Sequence, residues 1–126
     1  MPSDIVLIGP QGVGKSTVGE LLAKQWALPQ CSMDELRWGY YDEIGYDPAL
    51  AQQKRETGGA WAIIQYWKPF EAHAVERLLA EKTHCVIDFG AGHSVYEDAA
   101  LFARVQRALA PYPPVVFLLP SPDLDV

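Results

Sequence analysis

The residues with the clearest chemical content are Gly9-Pro10-Gln11-Gly12-Val13-Gly14-Lys15-Ser16. They fit G-x-x-x-x-G-K-S/T, the phosphate-binding P-loop pattern. Glycines let the backbone wrap closely around phosphate oxygens, so that several N–H groups point inward. A helix starting at the same place adds partial positive charge. The pattern assigns Gly9, Gln11, Gly12, Val13, Gly14, Lys15, Ser16 and Thr17 to the phosphate cradle. Within it, Lys15 reaches the β- and γ-phosphates and the Ser16 hydroxyl sits on Mg²⁺. The cofactors expected from these residues are ATP and Mg²⁺.

Two carboxylates stand where they could complete such a site. Asp88 closes the apolar run Cys85-Val86-Ile87. An acid at that place lies across a sheet from the P-loop and can hold Mg²⁺; the alternative is a strand-end aspartate that caps the next turn. Asp34 follows a short strand and falls at the carboxyl edge of the sheet, where open α/β sheets bind ligands. A carboxylate there can take the proton of a hydroxyl that attacks a phosphoryl group. A first-turn acid favoured by the helix dipole is the competing reading. Arg37, Lys54, Arg55 and Lys68 are bases that could face the same cleft, or simply be solvated. His73, His84 and His93 lack metal-ligand spacing, although His93 follows the Gly90-Ala91-Gly92 turn and can approach the site.

These groups need a scaffold, and the pattern supplies one. Ile5-Val6-Leu7-Ile8 reads as a buried strand and Thr17 to Ala27, with Val18, Leu21, Leu22 and Trp26, as a helix. Gln30-Cys31 is a very short second strand. Ser32-Met33-Asp34-Glu35 and Ser94-Val95-Tyr96-Glu97 have the form of capping boxes and predict helix starts. The first of these helices ends at Gly45. Asp47-Pro48 starts another that runs to Thr57-Gly58-Gly59. Ala60 to Glu81 is helical, with a kink expected at Pro69 and with Trp61, Trp67 and Phe70 in the core. Cys85 to Phe89 and Val115 to Leu119 are strands, separated by a helix carrying Leu101, Phe102, Val105 and Leu109. Strands alternating with helices predict an α/β fold whose parallel sheet is covered on both faces.

The chain has 126 residues, which predicts one domain over residues 1–126. Its formal net charge is -6, which argues against a duplex nucleic acid or an anionic membrane as partner. No apolar run approaches membrane-spanning length, and no secretory signal pattern opens the chain. Cys31 and Cys85 lack metal-type spacing and read as reduced, packed thiols, which predicts a cytoplasmic protein.

The run "IVLIGPQGVGKSTVGELLAKQWAL", Ile5 to Leu28, resembles the opening of a shikimate kinase, and the likeness continues more loosely to Leu119. That resemblance implies a three-layer P-loop NTPase/kinase fold with a parallel sheet. It also implies transfer of the γ-phosphoryl of Mg-ATP to a hydroxyl of a small-molecule acceptor. The family has D-x-D after its second strand, its first acid serving the metal and its second the acceptor hydroxyls. Ser32-Met33-Asp34 keeps only the second acid, and Asp88 is an acid that can replace the first. The family's F-R, whose arginine holds the acceptor carboxylate, is met by Trp67-Lys68, and its G-G-G by Gly90-Ala91-Gly92. The substrate residues implied are thus Asp34, Lys68, Gly90, Ala91 and Gly92, with Asp34 and Lys15 catalytic, and Ser16 and Asp88 on the metal. The stretch from Trp38 to Gly59 departs from the family as an insertion. Pro120-Ser121-Pro122-Asp123 reads as the start of a helix, which in the family carries lid arginines before a final strand. The expectation is therefore about four strands, with the last strand and the lid missing.

A second resemblance lies in the same superfamily. Ser32-Met33-Asp34-Glu35-Leu36-Arg37 is similar to the S-x-D-x-x-R of polynucleotide-kinase-like and zeta-toxin-like phosphotransferases, which implies that Asp34 activates a hydroxyl and Arg37 holds the acceptor. A nucleotide-binding module or fragment without transferase activity is the reading from another class.

Overall fold

A computed structural model describes residues 5–10, 13–82, 84–90, 92–111 and 115–118. Gln11, Gly12 and Ala91 fall outside these residues, as does the helix start expected after Leu119. The order of elements is β1 (Ile5–Ile8), α1 (Lys15–Trp26), β2 (Gln30–Ser32), α2 (Met33–Asp42), α3 (Pro48–Glu81), β3 (Val86–Asp88), α4 (Ala99–Leu109) and β4 (Val115–Phe117). The four strands form one parallel sheet in the order β2-β3-β1-β4.

Strand alternation sorts the side chains into two faces. Ile5, Leu7 and Val86 pack against Val18, Leu22, Ala23 and Trp26 of α1. Val6, Ile87 and Phe89 turn the other way and join the larger core formed with α2, α3 and α4, including Met33, Tyr41, Phe70, Val75, Leu78 and Val105. The result is a three-layer α/β fold. Two parities matter for the site. Asp88 follows Val86 on the α1 face, while Phe89 enters the core of the opposite layer.

Several local expectations are corrected. Ser32 caps α2 by position, but its side chain makes no capping hydrogen bond. The second capping box is not used. Asp98 caps α4, its Oδ1 accepting from Ala100 N and Leu101 N at 2.9 and 3.0 Å. An aspartate with two first-turn donors in reach outcompetes the serine four residues upstream. The helix break expected at Thr57-Gly58-Gly59 is found at Gly59 (φ 70°, ψ −160°), but the expected interruption at Pro69 is not, since Pro69 keeps helical dihedrals. Glycine reaches that positive φ without a Cβ clash, and the residues on either side of Pro69 are held by Phe70 in the core and Lys68 against a neighbouring loop. Trp61 is 63% exposed and lines an open groove with Ile44, Tyr66 and Phe70 instead of the core. Leu21 and Phe102 are also exposed. Cys85 is buried and Cys31 half-buried, with no disulfide. Among the described residues no helix is long and apolar enough to cross a membrane.

Candidate functional site

The glycine loop joins β1 to α1, as its sequence requires. Gly9 (φ 150°) has no room for a side chain, since a Cβ would lie 2.5 Å from Leu118 O of the chain leaving β4. Gly14 (φ 94°, ψ 24°) is the N-cap of α1, in the left-handed conformation glycine tolerates. The first α-helical bond runs from Val18 N to Gly14 O at 2.9 Å. The N–H groups of the turn before it therefore have no partner within the helix. Lys15 is the first residue of that turn. Its side chain is buried, and Nζ donates to Gly9 O at 2.7 Å and Pro10 O at 2.8 Å.

A cleft of about 710 Å³ opens above this turn. Gly14, Lys15, Ser16, Thr17, Asp88 and Gly92 border it together with Asp34, Arg37, Lys68 and Glu71; Ile64, Trp67 and Phe89 supply its apolar wall. The structure thus brings together groups from α1, α2, α3 and the β3 end that are far apart in sequence. Gly90 adjoins the same corner, where a Cβ would sit 2.5 Å from Asp34 Oδ1 and 2.7 Å from His93 Nδ1. Lys54 does not take part: it lies over the Tyr66 ring at 5.8 Å, in the separate groove beside Trp61. Arg55 is exposed and borders neither space.

On the α1 side, Asp88 is buried and its Oδ2 accepts from Gln30 Nε2 at 2.9 Å. The same amide donates to Ser16 O at 3.1 Å, tying the acid to the first turn of α1. Ser16, Thr17, Gln30, Ser32, Glu35 and Asp88 share a smaller recess of about 230 Å³ with Glu20. Ser32 is the register partner of Asp88 across the β2–β3 ladder. The position where an acid of the D-x-D pattern is lacking therefore lies directly beside the acid that the chain does have. The donor set of hydroxyl and carboxylate oxygens fits a hard cation such as Mg²⁺, which keeps several waters and takes one or two protein carboxylates.

On the α2–α3 side, Asp34 is exposed and its Oδ1 lies 4.0 Å from Arg37 NH1. Arg37 stacks over the Trp38 ring at 4.4 Å, and its Nε is buried with no hydrogen-bond partner among the described residues. Lys68 Nζ donates to Gly92 O at 3.0 Å and Val95 O at 2.7 Å and pairs with Glu71 Oε1 at 3.4 Å. Burial raises the Glu71 carboxyl above its ordinary value, an effect that Lys68 and Arg37 oppose. His93 is buried rather than lining the cleft; its Nε2 meets Tyr41 OH at 3.1 Å and its Nδ1 faces Glu71 Oε2 at 3.9 Å. Burial, helped by the positive charge of Arg37, pushes its pKa down to about 3. Residue types and spacing did not single out Glu71 or Gln30. The three-residue spacing of Lys68 and Glu71, which places both on one helix face, was the available signal for the first. Gln30 carried none, because only the fold brings it to Asp88.

No family model matches this chain, and no curated protein matches it. Solved structures do. Shikimate kinase from Acinetobacter baumannii, in complex with shikimate, is 22% identical with a TM-score of 0.63 and covers 96% of this chain. Shikimate kinase from Aquifex aeolicus is 25% identical (TM-score 0.57, 96% of this chain). The enzyme from Bacteroides thetaiotaomicron is 21% identical (TM-score 0.60, 95% of this chain). The chain spans 58%, 62% and 58% of the length of these three structures, respectively. With its parallel sheet of order β2-β3-β1-β4 and its helices on both faces, the protein has a shikimate-kinase-like P-loop kinase fold.

Proposed function

We propose that the cleft binds Mg-ATP and that the protein transfers the γ-phosphoryl to a hydroxyl of a small-molecule acceptor. The observation that carries this reading is the convergence of a buried Lys15, at the start of α1, with Ser16, Asp88 and Asp34 around one cleft. Gly9, Val13, Gly14 and Thr17, with Gln11 and Gly12, would surround the phosphates. Ser16 and Asp88 would hold the magnesium ion, which when bound neutralises charge on the β- and γ-oxygens. Lys15 would exchange its bonds to Gly9 O and Pro10 O for phosphate oxygens.

In the transfer, the acceptor oxygen forms a bond to the γ-phosphorus while the bond to the bridging β–γ oxygen breaks, and ADP leaves. The hydroxyl proton passes to the Asp34 carboxylate. Most of the acceleration would come from positioning and charge neutralisation. The acceptor would lie against Asp34 and the loop at Gly90, Ala91 and Gly92. The pairing of Asp34 with Arg37 at 4.0 Å favours an acceptor held by that arginine, as in the polynucleotide-kinase-like and zeta-toxin-like arrangement. Shikimate itself is disfavoured, because a lysine at position 68 lacks the two-pronged fork an arginine offers a carboxylate.

The test is calorimetry with ATP and ADP, with and without Mg²⁺, followed by phosphoryl-transfer assays over a panel of polyols and hydroxy acids. Mg²⁺-dependent ATP binding and transfer to at least one hydroxyl compound support the proposal. Tight nucleotide binding without transfer to any of them indicates a binding module, and no nucleotide binding removes the reading altogether.

A further inference from the structure

Lys68 borders the cleft with its ammonium already engaged by the protein. An ammonium has three hydrogens to donate. Here three acceptors surround Nζ: Gly92 O at 3.0 Å, Val95 O at 2.7 Å and Glu71 Oε1 at 3.4 Å. The pair is well enclosed, with side-chain exposures of 14% for Lys68 and 6% for Glu71. The stem and charge also lie against the Tyr96 ring, Nζ being 5.2 Å from its centroid.

Glu71 stands one helical turn further along α3 and presses on the same loop. A Cβ at Gly92 would collide with its Oε2, the closest approach that any glycine of this loop makes to a side chain. The loop is pinned a second time by His93, buried against Tyr41 and Phe89. Its own backbone bonds, His93 N to Gly90 O at 3.1 Å and Val95 N to Gly92 O at 3.3 Å, are short-range turns that would hold little by themselves.

We propose that Lys68, braced by Glu71, fastens the loop of residues 92–96 to α3 and so sets the acceptor wall of the cleft, acting as a positioning residue that makes no contact with the acceptor. The proposal rests on the kinase reading for the word acceptor, but not for the fastening. It differs from what a resemblance to shikimate kinases implies for this position. Lys15 has only carbonyls to give up, whereas Lys68 is also paired with the enclosed carboxylate of Glu71, which would be left without its partner if the ammonium moved to a ligand. Arg37, which also borders the cleft and whose NH1 lies 4.0 Å from Asp34 Oδ1, is another cation on this wall.

Hydrogen exchange tests the fastening directly. In Lys68→Met the amides of His93 and Val95 should exchange roughly tenfold faster or more, the loss of two hydrogen bonds from a charged donor. The amides of β1 and β3 should keep their protection, and Arg37→Gln should leave the loop unchanged. Should Lys68→Met not fold, Lys68→Arg and Glu71→Gln take its place; each removes part of the fastening and should raise loop exchange by a smaller factor. Unaltered loop exchange in the folded variants overturns the proposal. A kinetic arm separates positioning from binding. Lys68→Met should lower kcat/KM by a similar factor for neutral polyols and carboxylated hydroxy acids, whereas a loss confined to the carboxylated acceptors would make Lys68 a ligand and overturn it. A wild-type chain that binds no nucleotide defeats the kinase reading alone, since the exchange arm still decides the fastening.

Discussion

The two walls of the cleft are made in different ways. The P-loop wall takes Lys15 and Ser16 from one continuous turn and adds Asp88 from the strand that pairs with β1. Backbone geometry fixes it: left-handed Gly14, a helix start, and a three-residue strand register. The α2–α3 wall takes Asp34 and Arg37 from one helix, Lys68 and Glu71 from another, and Gly92 from a loop. Side chains fix it, through bonds that join residues 24 and 27 positions apart at Lys68. A wall made by backbone tolerates changes in neighbouring side chains. A wall made by a buried polar network is disturbed when any member is removed. The same contrast separates what the walls would bind: a phosphate chain common to all nucleotides, and an acceptor that must be told from others.

The largest expected effect breaks the P-loop wall at its one buried cation. Lys15→Ala removes the charge facing the phosphates, and calorimetry should show ATP affinity reduced about 100-fold or more. Melting temperature should also fall somewhat, because the bond to Gly9 O is buried and its acceptor is left unpaired, so affinities are compared at a temperature where both proteins are folded. Equal ATP affinity in mutant and wild type would defeat the assignment of this loop.

Next in size is a separation of the two carboxylates. Asp88→Asn should weaken Mg²⁺-dependent nucleotide binding by about tenfold and leave metal-free binding close to wild type. Asp34→Asn should leave both nearly unchanged and lower the transfer rate by roughly 10² or more, the contribution of a general base. Titrations with and without Mg²⁺ decide it, and exchanged phenotypes would reverse the roles of the two walls.

That contrast also explains what could be read from residues alone. The P-loop wall was legible because its signal is local: eight consecutive residues with a β-branched run before and a helical pattern after. Strand existence and the parallel sheet followed from the same alternation. Asp34, Arg37 and Lys68 were found as charged residues at plausible places, yet nothing in their spacing says where a side chain turns. Glu71 looked like one more acid on a helix; its burial depends on the loop that packs over it. Ser94-Val95-Tyr96-Glu97 matched a capping pattern but lies in that loop, where Lys68 holds Val95 O, and α4 begins only after Asp98. Trp61 was expected in the core as a large aromatic, but residue type does not show whether another element reaches that far along the helix.

Acid titration sharpens the comparison from the α2–α3 side. In the folded protein His93 is held neutral down to a pKa of about 3, against an ordinary 6.5. Below pH 6.5 an unfolded chain takes up a proton that the folded one refuses. Stability from this group is therefore full above 6.5 and is lost as pH falls toward 3, by at most ~1.4 kcal/mol per pH unit. Glu71 works in the opposite sense. Its raised pKa means that the folded chain keeps a proton longer than the unfolded one, so its contribution is present below the ordinary 4.5 and is lost as pH rises through the folded value. Urea unfolding across pH 3 to 8 should show a decline on the acid side of 6.5 that flattens in His93→Asn. An unchanged slope in that variant would mean that another group carries the acid sensitivity.

The smallest expected effect lies where a side chain does help the P-loop wall. Gln30 Nε2 joins Ser16 O to Asp88 Oδ2, so a single amide connects α1 to the buried acid. Gly19 makes room for it: a Cβ there would come within 2.8 Å of that nitrogen. Gln30→Ala leaves Asp88 without this donor, at a cost of about 1 to 2 kcal/mol in unfolding free energy. The expected fall in Mg²⁺-dependent nucleotide affinity is only a few-fold, because the carboxylate stays in place on its strand. Gly19→Ala should act in the same direction and more weakly, since the far end of a flexible glutamine can shift before it breaks both bonds. The two changes share one partner, so their effects should fall short of adding. A double variant whose loss equals the full sum would show that Gly19 and Gln30 act independently and that the amide bridge does not set the position of Asp88. Sub-additive losses would mark a place where the P-loop wall, like the opposite one, depends on a side chain for its geometry.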